Sequence, residues 1–156
     1  MSPAAGSPQA AAIIRLAASD ADIDRCWSVM VQLLPELPRG SFVATVRRME
    51  REGYRLALLE DGGAVRAVAG YRVMEMLAYG RHMYVDNLVT DEASRSQGYG
   101  DAIFDWLMAE ARRDGCRHLH LDSGTHRAAA HRFYFRKRMA IADYHFTLSL
   151  PAEDLP

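Results

Sequence analysis

Arg95-Ser96-Gln97-Gly98-Tyr99-Gly100 stands between residues 83–90, which read as a strand, and residues 99–113, which read as a helix. Phe104, Leu107, Met108 and Ala111 recur at helical spacing in the second run, and Asp114-Gly115 closes it. A short strand follows at 118–122. Strand, helix and strand in this order demand parallel pairing and a right-handed crossover. Within the turn, glycines two apart let a ligand approach the backbone, and the N–H groups of a starting helix converge on one spot. The helix N-terminus adds about half a positive charge, which suits a phosphate or pyrophosphate. Arg95 offers a fixed cation and Gln97 a neutral donor. The plainer alternative is a loop whose glycines only make the turn. A Walker loop requires Gly-Lys-Ser/Thr, a triplet the chain lacks, and the dinucleotide fingerprint requires a third glycine where Ile103 stands.

Upstream, residues 13–16 form a strand candidate. Ser19 and Asp20 offer N-cap oxygens, and Ile23, Trp27, Met30 and Leu34 predict a helix over 20–34, stopped by Pro35 and Pro38. Ser41 can cap a second helix, with Phe42, Val46 and Met49 on one face and Gly53 after its end. Residues 54–60 read as a strand, Asp61-Gly62-Gly63 as a hairpin turn, and residues 64–77 as a long strand that bends near Gly70. Downstream, a helix is expected over 126–138 and a last strand over 143–150. These elements predict an α/β (mixed α+β) fold, a mixed sheet with helices on both faces. One domain over 13–150 is expected, between tails at 1–12 and 151–156.

The chain has 156 residues, 49% hydrophobic and 25% charged, the balance of one ordinary globular domain. Its net charge of −1 argues against a partner such as nucleic acid that is bound by neutralising many phosphates. No apolar run approaches the roughly 20 residues of a membrane span. Residues 1–12 lack the basic start and apolar centre of a secretory signal, so the cytoplasm is the expected location. Cys26 and Cys116 lie far apart and form no metal-binding pair. His118 and His120 share a strand face without a third ligand at short spacing, so no metal is expected. Trp27, Met30 and Trp106 read as core.

Arg-x-x-Gly-x-Gly at Arg95, Gly98 and Gly100, preceded by the strand Tyr84-Val85-Asp86-Asn87-Leu88-Val89-Thr90, resembles the acetyl-CoA motif of the GNAT superfamily of N-acetyltransferases. Ala130-His131-Arg132-Phe133-Tyr134 resembles that family's later helix, where an Ala-x-x-aromatic-Tyr pattern ends in a tyrosine. The resemblance covers residues 13–150 and is strongest over 86–144. It implies a mostly antiparallel sheet with a central parallel strand pair. Two features depart from the pattern. Arg127 stands where family members commonly carry asparagine, and Arg138-Met139 replaces a frequent Gly-Phe pair.

The resemblance implies an enzyme that moves the acetyl group of acetyl-CoA, its co-substrate, to a primary amine within a ternary complex. Arg95, Ser96, Gln97, Gly98, Tyr99 and Gly100 would hold the pyrophosphate, and Arg127 and Ala130 would lie along the cofactor. A bulge around Leu88 and Val89 would aim backbone groups at the pantetheine and the thioester carbonyl, stabilising the oxyanion. An alkylammonium has a pKa near 10, so a base or a water chain must take its proton. Tyr84, Asp86 and Leu88 are expected on one strand face, which makes Asp86 the first candidate base and Glu75 the second. Asp86 reads equally as a carboxylate that binds a cation or pairs with an arginine. The resemblance gives Tyr134 the role of general acid to the departing thiolate; its alternative is a core aromatic beside Phe133 and Phe135. The acceptor is a small-molecule or peptide amine, and a homodimer is the family's frequent state. A competing reading is a non-catalytic acyl-CoA sensor or scaffold. An enzyme that acetylates charged tRNA would need a basic face, which the near-neutral charge disfavours.

Overall fold

The computed structural model describes residues 11–154, so most of the expected tail at 1–12, and the end of the one at 151–156, lie outside the described residues. In chain order the elements are β1 (Ile13–Leu16), α1 (Asp20–Leu33), α2 (Arg39–Glu50), β2 (Tyr54–Asp61), β3 (Ala64–Met76), β4 (Gly80–Thr90), α3 (Tyr99–Arg113), β5 (His118–Leu121) and α4 (Ala128–Arg136). Single 3-10 turns form at Glu92–Ser94 and Ala152–Asp154. The chain divides into two compact units, one through Leu121 and one from Asp122 onward.

Local signals place the first unit's helices. Ser19 caps α1: its hydroxyl accepts from the Asp22 N–H at 3.1 Å, and the Asp22 carboxylate accepts from the Ser19 N–H at 3.4 Å. Arg15 donates to both oxygens of Asp22 at 2.8 Å, stitching β1 to the helix start. That guanidinium holds the Asp22 carboxyl well below the usual carboxylate range, and the backbone donors of Ser19 and Ala18 act in the same direction. A lowered folded-state pKa contributes stability that is full above about pH 4 and is lost as pH falls towards the lowered value. Asp22→Asn is therefore expected to remove about 1–2 kcal/mol at pH 7 and much less at pH 2, read from urea midpoints at the two pH values. The second helix begins at Arg39, ahead of the expected Ser41 cap. Pro38, with φ of −74°, occupies the N-cap position and supplies no side-chain bond.

The sheet runs β1-β2-β3-β4-β5, antiparallel throughout except for the parallel pair β4–β5. Gly62 and Gly63, with φ of 60° and 77°, make the β2–β3 hairpin. Side chains of α1 and α2 pack on one face against Tyr54, Leu56, Leu58, Val68 and Val89. Ile103, Leu107 and Ala111 of α3 pack on the other against Ala57, Leu59, Ala69, Tyr71 and Val85.

The β3–β4 ladder slips by one residue at the bend expected near Gly70. Gly70 pairs with Asn87 and Tyr71 with Val85, leaving Asp86 as the extra residue. The bulge thus sits at Asp86 and not at Leu88 and Val89, which pair regularly with Ala69 and Val68. The slip also swaps faces. Met83 and Val85 before it, and Leu88 after it, all join the α3 cluster. Leu88 therefore lies on the opposite face from Tyr84, contrary to simple alternation.

Gly70 is bare because the Tyr54 ring fills the space beside it. A Cβ there would collide with the Tyr54 hydroxyl and with Asn87 Oδ1. Gly70→Ala is expected to cost about 1–3 kcal/mol in a chemical denaturation series.

In the second unit, α4 begins at Ala128, after an Arg127 N-cap that makes no side-chain bond. Residues 143–150 do not form the expected strand. Alternation gives a segment two faces, but a strand exists only where a neighbour takes up its N–H and C=O groups. Among the described residues the sheet has five strands, with the parallel pair last in its order.

Candidate active site

β4 and β5 are paired only from His82–His118 to Val85–Leu121. β4 then continues to Thr90 with β3 beside it, beyond the last β4–β5 pair. The β4–β5 pairing ends at Val85 and Leu121, next to the Asp86 bulge. β4 leads through the Glu92–Ser94 turn into the glycine segment and α3.

That segment is built for access. Arg95, Ser96, Gln97 and Gly98 are all exposed. Ser96 has φ of 63° and Gly98 has φ of 84°, and these left-handed residues fold the chain back over the start of α3. Gly98 is the N-cap of α3 and brings no side chain to its first turn. Its own carbonyl accepts from the Ala102 N–H at 3.0 Å, so the helix is hydrogen-bonded from its first residue. The N–H groups of that turn present the positive end of a 15-residue helix.

Two struts fix the turn. Tyr99 donates its hydroxyl proton to Asp61 Oδ2 at 2.6 Å, tying α3 to the β2–β3 hairpin. That bond to the carboxylate, aided by burial, raises the Tyr99 pKa. Tyr99 thus serves the turn through its backbone, and its side chain is an anchor. Ser94, buried, donates to Asp91 at 2.9 Å and accepts from Arg66 at 3.2 Å. Gln32 donates to Asp91 at 2.9 Å, and the Asp91 pKa is lowered by that bond.

At the bulge, Asp86 is gripped by Arg72. The guanidinium Nε lies 3.1 Å from both carboxylate oxygens, and Nη2 lies 2.7 Å from Oδ2. Arg72 in turn stacks over Tyr54, 5.5 Å from the ring centroid. Tyr54 donates to Asn87 Oδ1 at 3.0 Å, and burial raises its pKa, so the phenol keeps its proton. Asp86 is thus a carboxylate paired with an arginine, one of the two roles its sequence position allowed. Glu75 is exposed near the β3–β4 hairpin, opposite Arg81. Arg81 is five residues from Asp86, about 17 Å along an extended strand.

A second polar group gathers where β4 and β5 begin. His82 is only 2% exposed and its Nδ1 lies 2.9 Å from the Gly80 carbonyl. Its ring centroid is 5.0 Å from that of His120, which is 5.7 Å from His118 and 4.4 Å from Tyr79. Among the described residues, no three metal-ligating side chains stand where they could share an ion. Arg72, Tyr54, Asn87 and His82 went unread in the sequence. Their roles rest on cross-strand register, which no local pattern prints.

In the second unit, Tyr134 and Ala130 are half-buried on α4, and Arg127 is exposed at its N-cap. Burial raises the Tyr134 pKa, opposed by the Arg127 charge. The phenol is protonated at neutral pH, as a proton donor must be. Its ring meets Phe133 edge-on at 5.7 Å.

Comparison with known proteins identifies the family and the fold. The model of the acetyltransferase (GNAT) family matches residues 23–139. The uncharacterized N-acetyltransferase YhdJ of Bacillus subtilis (strain 168) is 32% identical over 112 residues, covering 71% of this chain and 79% of that protein. A GNAT family acetyltransferase of Staphylococcus aureus superposes with a TM-score of 0.75 at 17% identity, over 89% of this chain and 98% of its own. An aminoglycoside N-acetyltransferase solved in complex with CoA superposes with a TM-score of 0.79 at 11% identity, over 92% and 98%. These solved structures share the chain's fold, and the chain belongs to the acetyltransferase (GNAT) family.

Proposed function

We propose that the chain, as one acetyltransferase domain over residues 13–150, transfers the acetyl group of acetyl-CoA to a primary amine of a small molecule or peptide. The observation that carries this reading is the Asp86 bulge beside the end of the β4–β5 pairing, with the exposed glycine turn and the N-terminus of α3 following on the same strand's exit. The exposed backbone of Ser96, Gln97, Gly98, Tyr99 and Gly100, with Arg95, suits the donor's pyrophosphate. Leu88 and Val89 supply backbone groups to the pantetheine and the thioester oxygen.

In the reaction the neutral amine attacks the thioester carbonyl. A C–N bond forms, the C–S bond breaks, and the amine's surplus proton leaves through water. Asp86 is the base candidate on β4. Its pairing with Arg72 fits it better for holding that water and the incoming cation than for taking the proton directly. Tyr134 protonates the departing thiolate, and Arg127 and Ala130 lie along the donor. No metal enters these steps. The free thiols of Cys26 and Cys116 suit a reducing compartment such as the cytoplasm, and we propose a homodimer as the working state.

The test is thiol release from acetyl-CoA across a panel of polyamines, aminoglycosides, amino acids and peptides. Turnover on any primary amine supports the reading. Binding of acetyl-CoA with no turnover on any of them favours a sensor.

A further inference from the structure

A planar guanidinium has two edges that each match a carboxylate. Nε and one Nη form the side edge, and the two Nη groups form the end edge. Asp86 occupies the side edge of Arg72, with Nε 3.1 Å from both oxygens and Nη2 2.7 Å from Oδ2. Among the described residues no oxygen accepts a bond from Nη1, so the end edge is unused. Glu52 acts on Arg72 only through its charge and makes no hydrogen bond to it, so it does not fill that edge. The carboxylate also has capacity left. Arg72 is its one donor among the described residues, and Oδ1 accepts a single bond.

We infer that the end edge of Arg72 binds a carboxylate of the acceptor while Asp86 receives its ammonium, so that the acceptor is a free amino acid. This rests on the acetyl-transfer reading and narrows its substrate class. An amino acid carries both charges within a few atoms, and each meets its opposite on one Arg72–Asp86 pair. A polyamine or an aminoglycoside offers a cation to Asp86 but leaves the end edge unfilled and sets its other ammonium groups against the guanidinium. Three features hold that edge in place before a ligand arrives. The guanidinium lies over the Tyr54 ring, 5.5 Å from its centroid. The ring is itself fixed by its hydroxyl, 3.0 Å from Asn87 Oδ1, and by the space that bare Gly70 leaves for it. The register sets Arg72 opposite Tyr84, two residues before Asp86 on β4. A donor edge that is already ordered loses little freedom on binding.

The chemistry balances as for any amine. The amino nitrogen forms the C–N bond, the thioester C–S bond breaks, the surplus proton leaves through water, and the thiolate is protonated. The products are an N-acetyl amino acid and CoA. The acetylated nitrogen no longer carries the charge that Asp86 held, so the product keeps only its bond to Arg72 and leaves more readily than the substrate.

Two readouts on the full chain test the inference. The first is the guanidinium NMR signal of Arg72, titrated with the standard amino acids and with their carboxamides, which keep the amine and lack the carboxylate. At least one acid should shift the signal, and its amide should not. The second is thiol release from acetyl-CoA, where that acid should exceed its own amide by about 100-fold or more in kcat/KM. Arg72→Lys keeps a positive charge for Asp86 but has no second edge, and should bring the acid-to-amide ratio to within about tenfold. The acid–amide comparison uses the parent alone, so it holds even where the lysine variant fails to fold. An Arg72 signal that no acid shifts, or that amides shift as strongly, overturns the inference. Equal turnover of acid and amide overturns it too and keeps acetyl transfer. Acids that shift Arg72 while no amine releases thiol keep the carboxylate site and overturn the acetyl-transfer reading.

Discussion

Gly98→Glu is expected to weaken acetyl-CoA binding at least 100-fold, a loss of about 2.7 kcal/mol, with the fold retained. Gly98 caps α3 with φ of 84°, and an added Cβ would meet nothing within 4 Å. The new side chain therefore projects into the space where the pyrophosphate is proposed to sit. It sets a carboxylate against a ligand that is itself anionic, and that negative charge satisfies the helix end in the ligand's place. The left-handed backbone adds strain of about 1–2 kcal/mol, which lowers thermal stability modestly. Gly98→Ala separates the two effects, because it carries the same strain without the charge. Calorimetric titration should show the alanine variant binding within about tenfold of the parent and the glutamate variant not binding. Equal loss in both would mean that backbone shape alone decides affinity. No loss in either would place the donor elsewhere.

Tyr134→Phe is expected to lower kcat by about 100–1,000-fold while changing KM for acetyl-CoA little, since a general acid acts in the transition state and not in binding. Burial raises the Tyr134 pKa above its ordinary value near 10. The acidic form is the active one, so its contribution is complete at neutral pH and falls only as pH rises through that raised value. The parent's kcat should show no decline attributable to this phenol around neutral pH. The Phe variant should lose any fall seen at higher pH. Thiol release followed from pH 6 to 10 reads both quantities. A variant with unchanged kcat would leave Tyr134 as one more aromatic beside Phe133, and water would protonate the thiolate.

The α1 start was legible because its cap is local: Ser19 and Asp22 are three residues apart and complete each other's bonds. The glycine turn was legible for the same reason. Its left-handed Gly98 and the helix at Tyr99 follow from neighbouring residues, whatever the rest of the chain does. The α2 cap was misplaced by three residues, Ser41 for Pro38, since Ser41 offers an oxygen that the helix does not use. Arg72 could not be assigned to Asp86 from the sequence. Their partnership needs β3 and β4 aligned with the slip at Gly70, where the Tyr54 ring fills the space beside the glycine.

What the sequence by itself determined is therefore the order of elements, the turns between them and the backbone of the glycine turn, all fixed by contacts within a few residues. Only the tertiary structure decided where the bulge falls, which face Leu88 takes, and that Asp86 is held by an arginine. It also gave residues 143–150, strand-like in pattern, no strand assignment. A one-residue slip in register reverses every side chain beyond it, and a strand is completed by its neighbour, so neither can be read from the segment that carries it.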